Sequence, residues 1–225
     1  MSLIFEKIAP LADLISEKFE KISTRVTEPG IEHFDWYNKV YTNYKFRRAH
    51  IEVLDRAEKN NMWIMHVTVF PHLNDPSPIF GFDIVCTGKK VSGIFHDFSI
   101  TTNDEHYMQK WFESGVGGLS WKKERELPDW GKKIFSKSMI AAGGVSTEQE
   151  LEQIIDVCLR NLDYYLANVG NVIALETIQA VKEKQNYYCK CQKENPYPVR
   201  MLINFGLTKE LAENFVNNHL FPEVS

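Results

Sequence analysis

Between Phe34 and Phe98 the chain runs through successive segments that are rich in aromatic and β-branched residues and joined by turns rather than helices. Phe34 to Leu54 predicts one or two strands. Met62 to Phe70 (MWIMHVTVF) predicts another, ended by Pro71 and the turn-rich HLNDPSP. Ile79 to Cys86 (IFGFDIVC) and Val91 to Phe98 (VSGIFHDF) flank Thr87-Gly88-Lys89-Lys90, which has the length and composition of a tight hairpin. Parallel strands need long crossovers, so strands joined in this way predict an antiparallel meander.

Helical periodicity brackets that meander. Residues 2 to 24 place Leu3, Ile4, Ile8, Leu11, Leu14, Ile15 and Phe19 on one face, ahead of the breaker Glu28-Pro29-Gly30. A helix is expected from about Glu105, and Ile134 to Ala142 is a short apolar segment of open type. Ser146, three residues before Gln149, reads as a capping box for a long helix carrying Leu151, Ile154, Ile155, Cys158, Leu162, Tyr165 and Leu166. Another helix is expected from about Val172 into the 190s, broken by Pro196 and Pro198. Short helices then follow around Met201 and over Lys209 to Leu220, the second capped by Thr208. With no repeat, low-complexity tract or flexible linker, the chain reads as one domain over 1–225. Helices before and after a meander predict an α/β fold, a three-layer α/β/α sandwich with a central antiparallel sheet.

Composition removes several function classes. The net charge of −4 argues against a nucleic-acid partner. No apolar run reaches the roughly 18 residues of a membrane span, and the acids near the N-terminus do not fit a signal peptide, so a cytoplasmic protein is expected. Cys86, Cys158, Cys189 and Cys191 form no C-x-x-C pair, which leaves no zinc, iron–sulfur or disulfide signature. Gly115-Val-Gly117-Gly118 follows a predicted helix and lacks the dinucleotide spacing.

What remains is a set of ionisable residues inside strands. His50 and Glu52 lie two apart and so share one strand face; His66 sits mid-strand among apolar residues. Asp83 interrupts IFGFDIVC, where a buried carboxylate without partners costs several kcal/mol or takes up a proton. If the meander pairs in order, Glu52, His66 and Asp83 converge on one face as an acid–base site that holds protons near neutral pH. Each residue alone also fits an outward-facing or satisfied polar position. The same residue types suit a metal-dependent hydrolase, although their spacings match no common ligand motif. Substrate class does not follow from these residues.

The stretches FRRAHIEV, the His66 strand ending in VFP, IFGFDIV followed by VSGIFHDFS, RELPDWG and the C-terminal FVNNHLF occur in that order from Phe46 onward. In them the chain resembles the ferredoxin-dependent bilin reductases, most closely their phycocyanobilin:ferredoxin oxidoreductase branch; the first 40 residues match only as a helix followed by strands. The resemblance implies an α/β/α sandwich that binds biliverdin IXα between the sheet and the C-terminal helices and reduces it by four electrons through bilin radicals. It also implies no bound cofactor or metal, single electrons from reduced [2Fe-2S] ferredoxin, and a monomer. By position, Asp83 resembles the family's proton-donating aspartate, His66 its histidine partner, Glu52 the glutamate serving the vinyl end, and His50 the supporting histidine. Arg125 resembles a propionate-binding arginine, and Ser92 a smaller propionate contact. An acidic donor calls for a basic docking face, for which Lys89-Lys90, Lys122-Lys123-Arg125 and Lys132-Lys133 are candidates.

One loop departs from that branch, which carries a lysine-containing polar segment where this chain has Glu194-Asn-Pro-Tyr-Pro-Val-Arg200. Tyr197, expected to touch the substrate, stands where the phycoerythrobilin synthases place a second aspartate. The Glu52, His66 and Asp83 set points to phycocyanobilin. A phage-type relative forming phycoerythrobilin, and a bilin carrier without chemistry, are the alternatives.

Overall fold

The computed structural model describes residues 3–56, 61–88 and 90–225. Lys89 of the first basic cluster lies outside the described residues, as do the side chains of Leu3 and Ile4. Seven strands form one sheet in sequence order: β1 Thr24–Val26, β2 Tyr37–Thr42, β3 Phe46–Arg56, β4 Met62–Pro71, β5 Ile79–Thr87, β6 Lys90–Ser99 and β7 Ile140–Val145. Every neighbouring pair is antiparallel. The segment of open type before Ala142 therefore ends as an edge strand.

The helix expected over residues 2–24 is two, α1 Leu3–Ile8 and α2 Leu11–Glu20, followed by β1. The break falls at Pro10, which lacks an N–H to continue the ladder and disfavours helical geometry in the residue before it. Between β6 and β7 lie α3 Tyr107–Val116 and the single turn α4 Asp129–Lys132. After β7 come α5 Glu148–Asn168, α6 Ile178–Lys193, α7 Tyr197–Asn204 and α8 Lys209–Phe215, the last continued by a π turn over Val216–Leu220. None of the described helices is long and apolar enough to cross a membrane.

Two caps separate cleanly. Thr208 accepts the Leu211 N–H at 3.2 Å, as expected. The capping box at Ser146 does not form: β7 carries the chain extended through Val145, so Thr147 becomes the N-cap, without a side-chain hydrogen bond. Glu150 in the first turn instead accepts the backbone N–H of Lys122 at 2.8 Å.

The sheet divides two cores, which makes the fold the three-layer sandwich expected. One face, with Ile51, Val53, Met65, Val67, Phe80, Phe82 and Ile84, packs against α2, α3 and α5 through Ile15, Phe19, Phe112, Ile154 and Leu162. The other presents Leu54, Phe70 and Ile79 to Tyr188, Cys189, Leu202, Phe215 and Val216 of α6, α7, α8 and its π turn. Side chains alternate across a strand, so the register that buries the first set turns Arg48, His50, Glu52, His66, Thr68, Asp83 and Asp97 toward the C-terminal helices. A buried clamp holds those helices down. Arg48 donates from Nε to Glu28 Oε1 at 2.5 Å and from Nη2 to the His219 carbonyl at 2.6 Å. The His219 ring meets Glu28 at 3.4 Å.

Candidate active site

Cross-strand pairing sets Glu52 directly opposite His66, and His66 directly opposite Asp83. Three ionisable side chains from β3, β4 and β5 thus form one row on the face covered by the C-terminal helices. The His66 Nδ1 hydrogen-bonds to Asp83 Oδ1, and its Nε2 lies 3.2 Å from Thr68 Oγ1. Glu52 Oε1 accepts the indole N–H of Trp36 at 3.0 Å. His50, two residues before Glu52, meets Asn38 Oδ1 through Nε2 at 3.1 Å. Its Nδ1 is buried without a hydrogen-bond partner.

Burial and charge set the proton inventory of the row. Burial pushes the Glu52 carboxyl up to about 7, against the opposing pull of His66 and the Trp36 N–H, with Asp83 adding to the rise. For His66 burial alone acts downward, but the charge and hydrogen bond of Asp83, with a contribution from Glu52, raise it above the ordinary histidine value. His50 is held well below that value by burial first and by Arg48, His66 and His219 next, so it is neutral at physiological pH. The row therefore combines a carboxyl poised near neutrality with an imidazole whose proton affinity is raised by its hydrogen-bonded partner Asp83, a set suited to giving and regaining protons.

Access is one-sided. Phe221 stands edge-on to His66 at 5.4 Å, and Phe34, Trp36 and Phe215 form a cluster of tilted and edge-on rings, Trp36 to Phe215 at 5.0 Å, beside His50 and Glu52. Asp83 is the member that reaches solvent, with 33% of its side chain exposed. Around it on the same face lie the half-buried Ile64, Val85 and Phe95, with the half-buried Val199, Met201 and Phe205 of the C-terminal layer packed on that core. Together they surround the solvent-reaching Asp83 carboxyl with half-buried apolar side chains.

Arg125 lies on the same face, beside Phe95. Its N–H bonds the Ala141 carbonyl at 2.8 Å, which seats residues 123–125 along β7. Its side chain runs over Gly93 and Gly143, where a Cβ would come within 3.0 Å of Nη1 and 2.7 Å of Cγ respectively. The guanidinium carbon is 5.7 Å from the Phe95 ring. The absence of a side chain at Gly143 in particular leaves room for that path, which presents an exposed guanidinium on the acid-bearing face, suited to a carboxylate.

The other expected residues fare differently. Ser92 occupies a bulge in the β5–β6 pairing and donates its hydroxyl to the Val85 carbonyl at 2.9 Å. Tyr197, the first residue of α7, is 73% exposed. Among the basic clusters, Lys132 pairs with Glu126 at 3.0 Å and Lys133 with Glu194 at 3.1 Å. Lys122 and Lys123 are exposed beside Arg125 on the β7 edge, and Lys90 is exposed at the start of β6.

Three participants escaped the sequence reading. Trp36 and Asn38 flank the row from the β2 side, and only the β2–β3 register, Asn38 opposite Glu52, brings them there. Asp97 is buried on the acid-bearing face, raised to about 6 by burial despite hydrogen bonds from Ser136 and Ser99. The signal that singled out Asp83, an acid within an apolar strand, is present at Asp97 as well.

A family model described as "Ferredoxin-dependent bilin reductase" matches residues 7–222. The phycocyanobilin:ferredoxin oxidoreductase of a Synechococcus strain is 29% identical over 190 residues, 82% of this chain and 74% of that protein. The enzyme of the same name from Prochlorococcus marinus is 25% identical over 219 residues, 94% and 87% of the two chains. The solved structure of a protein named PcyX shares 29% identity and superposes with a TM-score of 0.72, covering 97% of this chain and 99% of that one. Phytochromobilin synthase from tomato, solved in complex with biliverdin, shares the fold at a TM-score of 0.70 and 18% identity, with coverage of 96% and 82%.

Proposed function

The chain belongs to the ferredoxin-dependent bilin reductases, and from that premise we propose that it reduces biliverdin IXα by four electrons and four protons to a phycobilin, phycocyanobilin. The observation that carries this reading is the single cross-strand row Glu52–His66–Asp83, with Asp83 its solvent-reaching member beside the half-buried Ile64, Val85 and Phe95, which we take as the wall of a bilin groove. An extended tetrapyrrole suits such a groove, its flat apolar face on Ile64, Val85 and Phe95. Its propionates need cationic partners at the rim, where Arg125 lies.

Ferredoxin supplies electrons singly, so each two-electron reduction passes through a bilin radical whose proton affinity has risen. Asp83 and His66 share a hydrogen bond next to the groove, and the proton that Asp83 favours on His66 passes along it through the Asp83 carboxylate to the nitrogen or oxygen edge of the tetrapyrrole, leaving His66 neutral until it is reprotonated. Glu52, poised near neutrality, gives its proton to the end of the bilin on the β3 side and regains one between reductions. His50 stays neutral and supports the β3 end of the row through Asn38. Two carbon–carbon double bonds are thereby saturated, each taking up two electrons and two protons. Lys122 and Lys123 beside the Arg125 rim form the face on which an acidic ferredoxin docks, close to the groove it must reduce. The protein works in the cytoplasm, in keeping with its free and buried Cys86, Cys158, Cys189 and Cys191.

Anaerobic turnover with biliverdin, ferredoxin and a reducing system tests this. The substrate band should bleach and chromatography should return phycocyanobilin. Phycoerythrobilin as sole product would overturn the regiochemistry alone. Tight biliverdin binding with an unchanged spectrum would make the protein a carrier and end the enzymatic reading.

A further inference from the structure

Glu52 owes its placement to a residue outside the row. Trp36 precedes β2, and its indole N–H is the hydrogen-bond donor to Glu52 Oε1 at 3.0 Å. The indole is itself fixed: Phe34 stands against it at 5.1 Å and Phe215 of α8 at 5.0 Å, and Phe34 and Phe215 pack edge-on at 4.8 Å. A donor locked by two rings has one direction in which to point, and the carboxyl it meets is almost wholly buried. We propose that Trp36 is a positioning residue for bilin reduction: its indole N–H fixes the orientation of the Glu52 carboxyl and sets how readily that carboxyl releases its proton. The inference deepens the bilin reductase reading and rests on it for its catalytic meaning, though not for its physical content.

The charged surroundings of Glu52 leave this role to Trp36. On its own strand stand neutral His50 and Arg48, the latter spent on Glu28. Across the sheet stand His66 opposite and Asp83 beyond it, already committed to each other. From the C-terminal layer comes His219, turned to Glu28. Trp36 is thus the neutral donor whose loss changes hydrogen bonding at Glu52 without removing a charge. A hydrogen bond to the ionised carboxyl favours that form, so its removal makes the proton harder to lose.

The test replaces Trp36 by phenylalanine, which keeps an aromatic ring against Phe34 and Phe215 and deletes the N–H. Infrared difference spectra against Glu52→Gln isolate the Glu52 carboxylic-acid band in the substrate-free protein. Its titration midpoint should rise by about one unit, a roughly tenfold gain in proton affinity. In turnover the alkaline limb of kcat should move the same way, with kcat lowered and KM for biliverdin changed less than about twofold. Where phenylalanine leaves the fold loosened, β-(3-benzothienyl)alanine at position 36 keeps the bicyclic shape without the donor. An unmoved band in either variant overturns the inference, as does an equal shift in Phe34→Leu, which disturbs packing but retains the N–H. Wild-type protein that fails to reduce biliverdin would instead refute the bilin reductase reading, leaving the substrate-free titration to decide the contact.

Discussion

Replacing Asp83 by asparagine keeps the size and shape of the side chain and removes the charge that holds the His66 proton. His66 is almost fully buried, and burial by itself pushes an imidazole toward neutrality; the Asp83 carboxylate reverses that outcome. A hydrogen bond to a charged group is worth about 1.5–3 kcal/mol, which corresponds to about one to two pKa units at 1.36 kcal/mol per unit. One third of the Asp83 side chain meets water, which screens the pair, so the lower end applies and His66 should fall by about one unit. Nitrogen-detected NMR of the imidazole, followed through a pH series, reads this directly. The variant should bind biliverdin, since no groove wall changes, and lose turnover by about 100-fold or more, the usual worth of a positioned proton donor. An unchanged His66 midpoint would refute the electrostatic account. Turnover within tenfold of wild type would remove Asp83 from the chemistry, whatever His66 does.

Glu52→Gln should stabilise the fold near neutral pH. The folded carboxyl titrates near 7 and the unfolded one near 4.5, so wild type loses stability as pH climbs between those values, by roughly 3 kcal/mol. Denaturant melts across pH 4.5–7.5 should show that slope in wild type and a flatter one in the variant; equal slopes would contradict the raised value. Arg48→Met breaks the buried clamp to Glu28 and the His219 carbonyl and should cost about 3–5 kcal/mol. Hydrogen exchange would rise first over residues 216–221 if the clamp is what holds that segment. Lys122→Glu with Lys123→Glu should raise KM for ferredoxin by about tenfold at low salt, with the gap closing as salt screens it and biliverdin affinity unchanged. A salt-independent effect would place the docking face elsewhere.

The meander, the two helical flanks and the three acid–base residues were legible because each leaves a local mark. His66 and Asp83 stand out as polar residues within apolar strands, and Glu52 follows His50 by one strand period. The break at Pro10 was equally local and was overlooked in a strong helical pattern. Misread features had competing local solutions. Ser146 has the spacing of a cap, yet β7 carries the chain extended up to Val145 just before it, and Thr147 takes the position.

Strand periodicity alone determined which residues share a face with Asp83, because side chains two apart on one strand point the same way whatever the rest of the chain does. Which of them meet depended on register across hairpins, and that was decided by packing both cores at once: a slip of one residue at β4 would turn His66 into the opposite core and Met65 toward the C-terminal helices in its place. The Trp36 contact to Glu52 and the Arg48 clamp to His219, 171 positions apart, exist only after folding. The proton affinities of the row likewise arise from burial, since the carboxyl of Glu52 becomes a base near neutrality only when distant parts of the chain have removed its water.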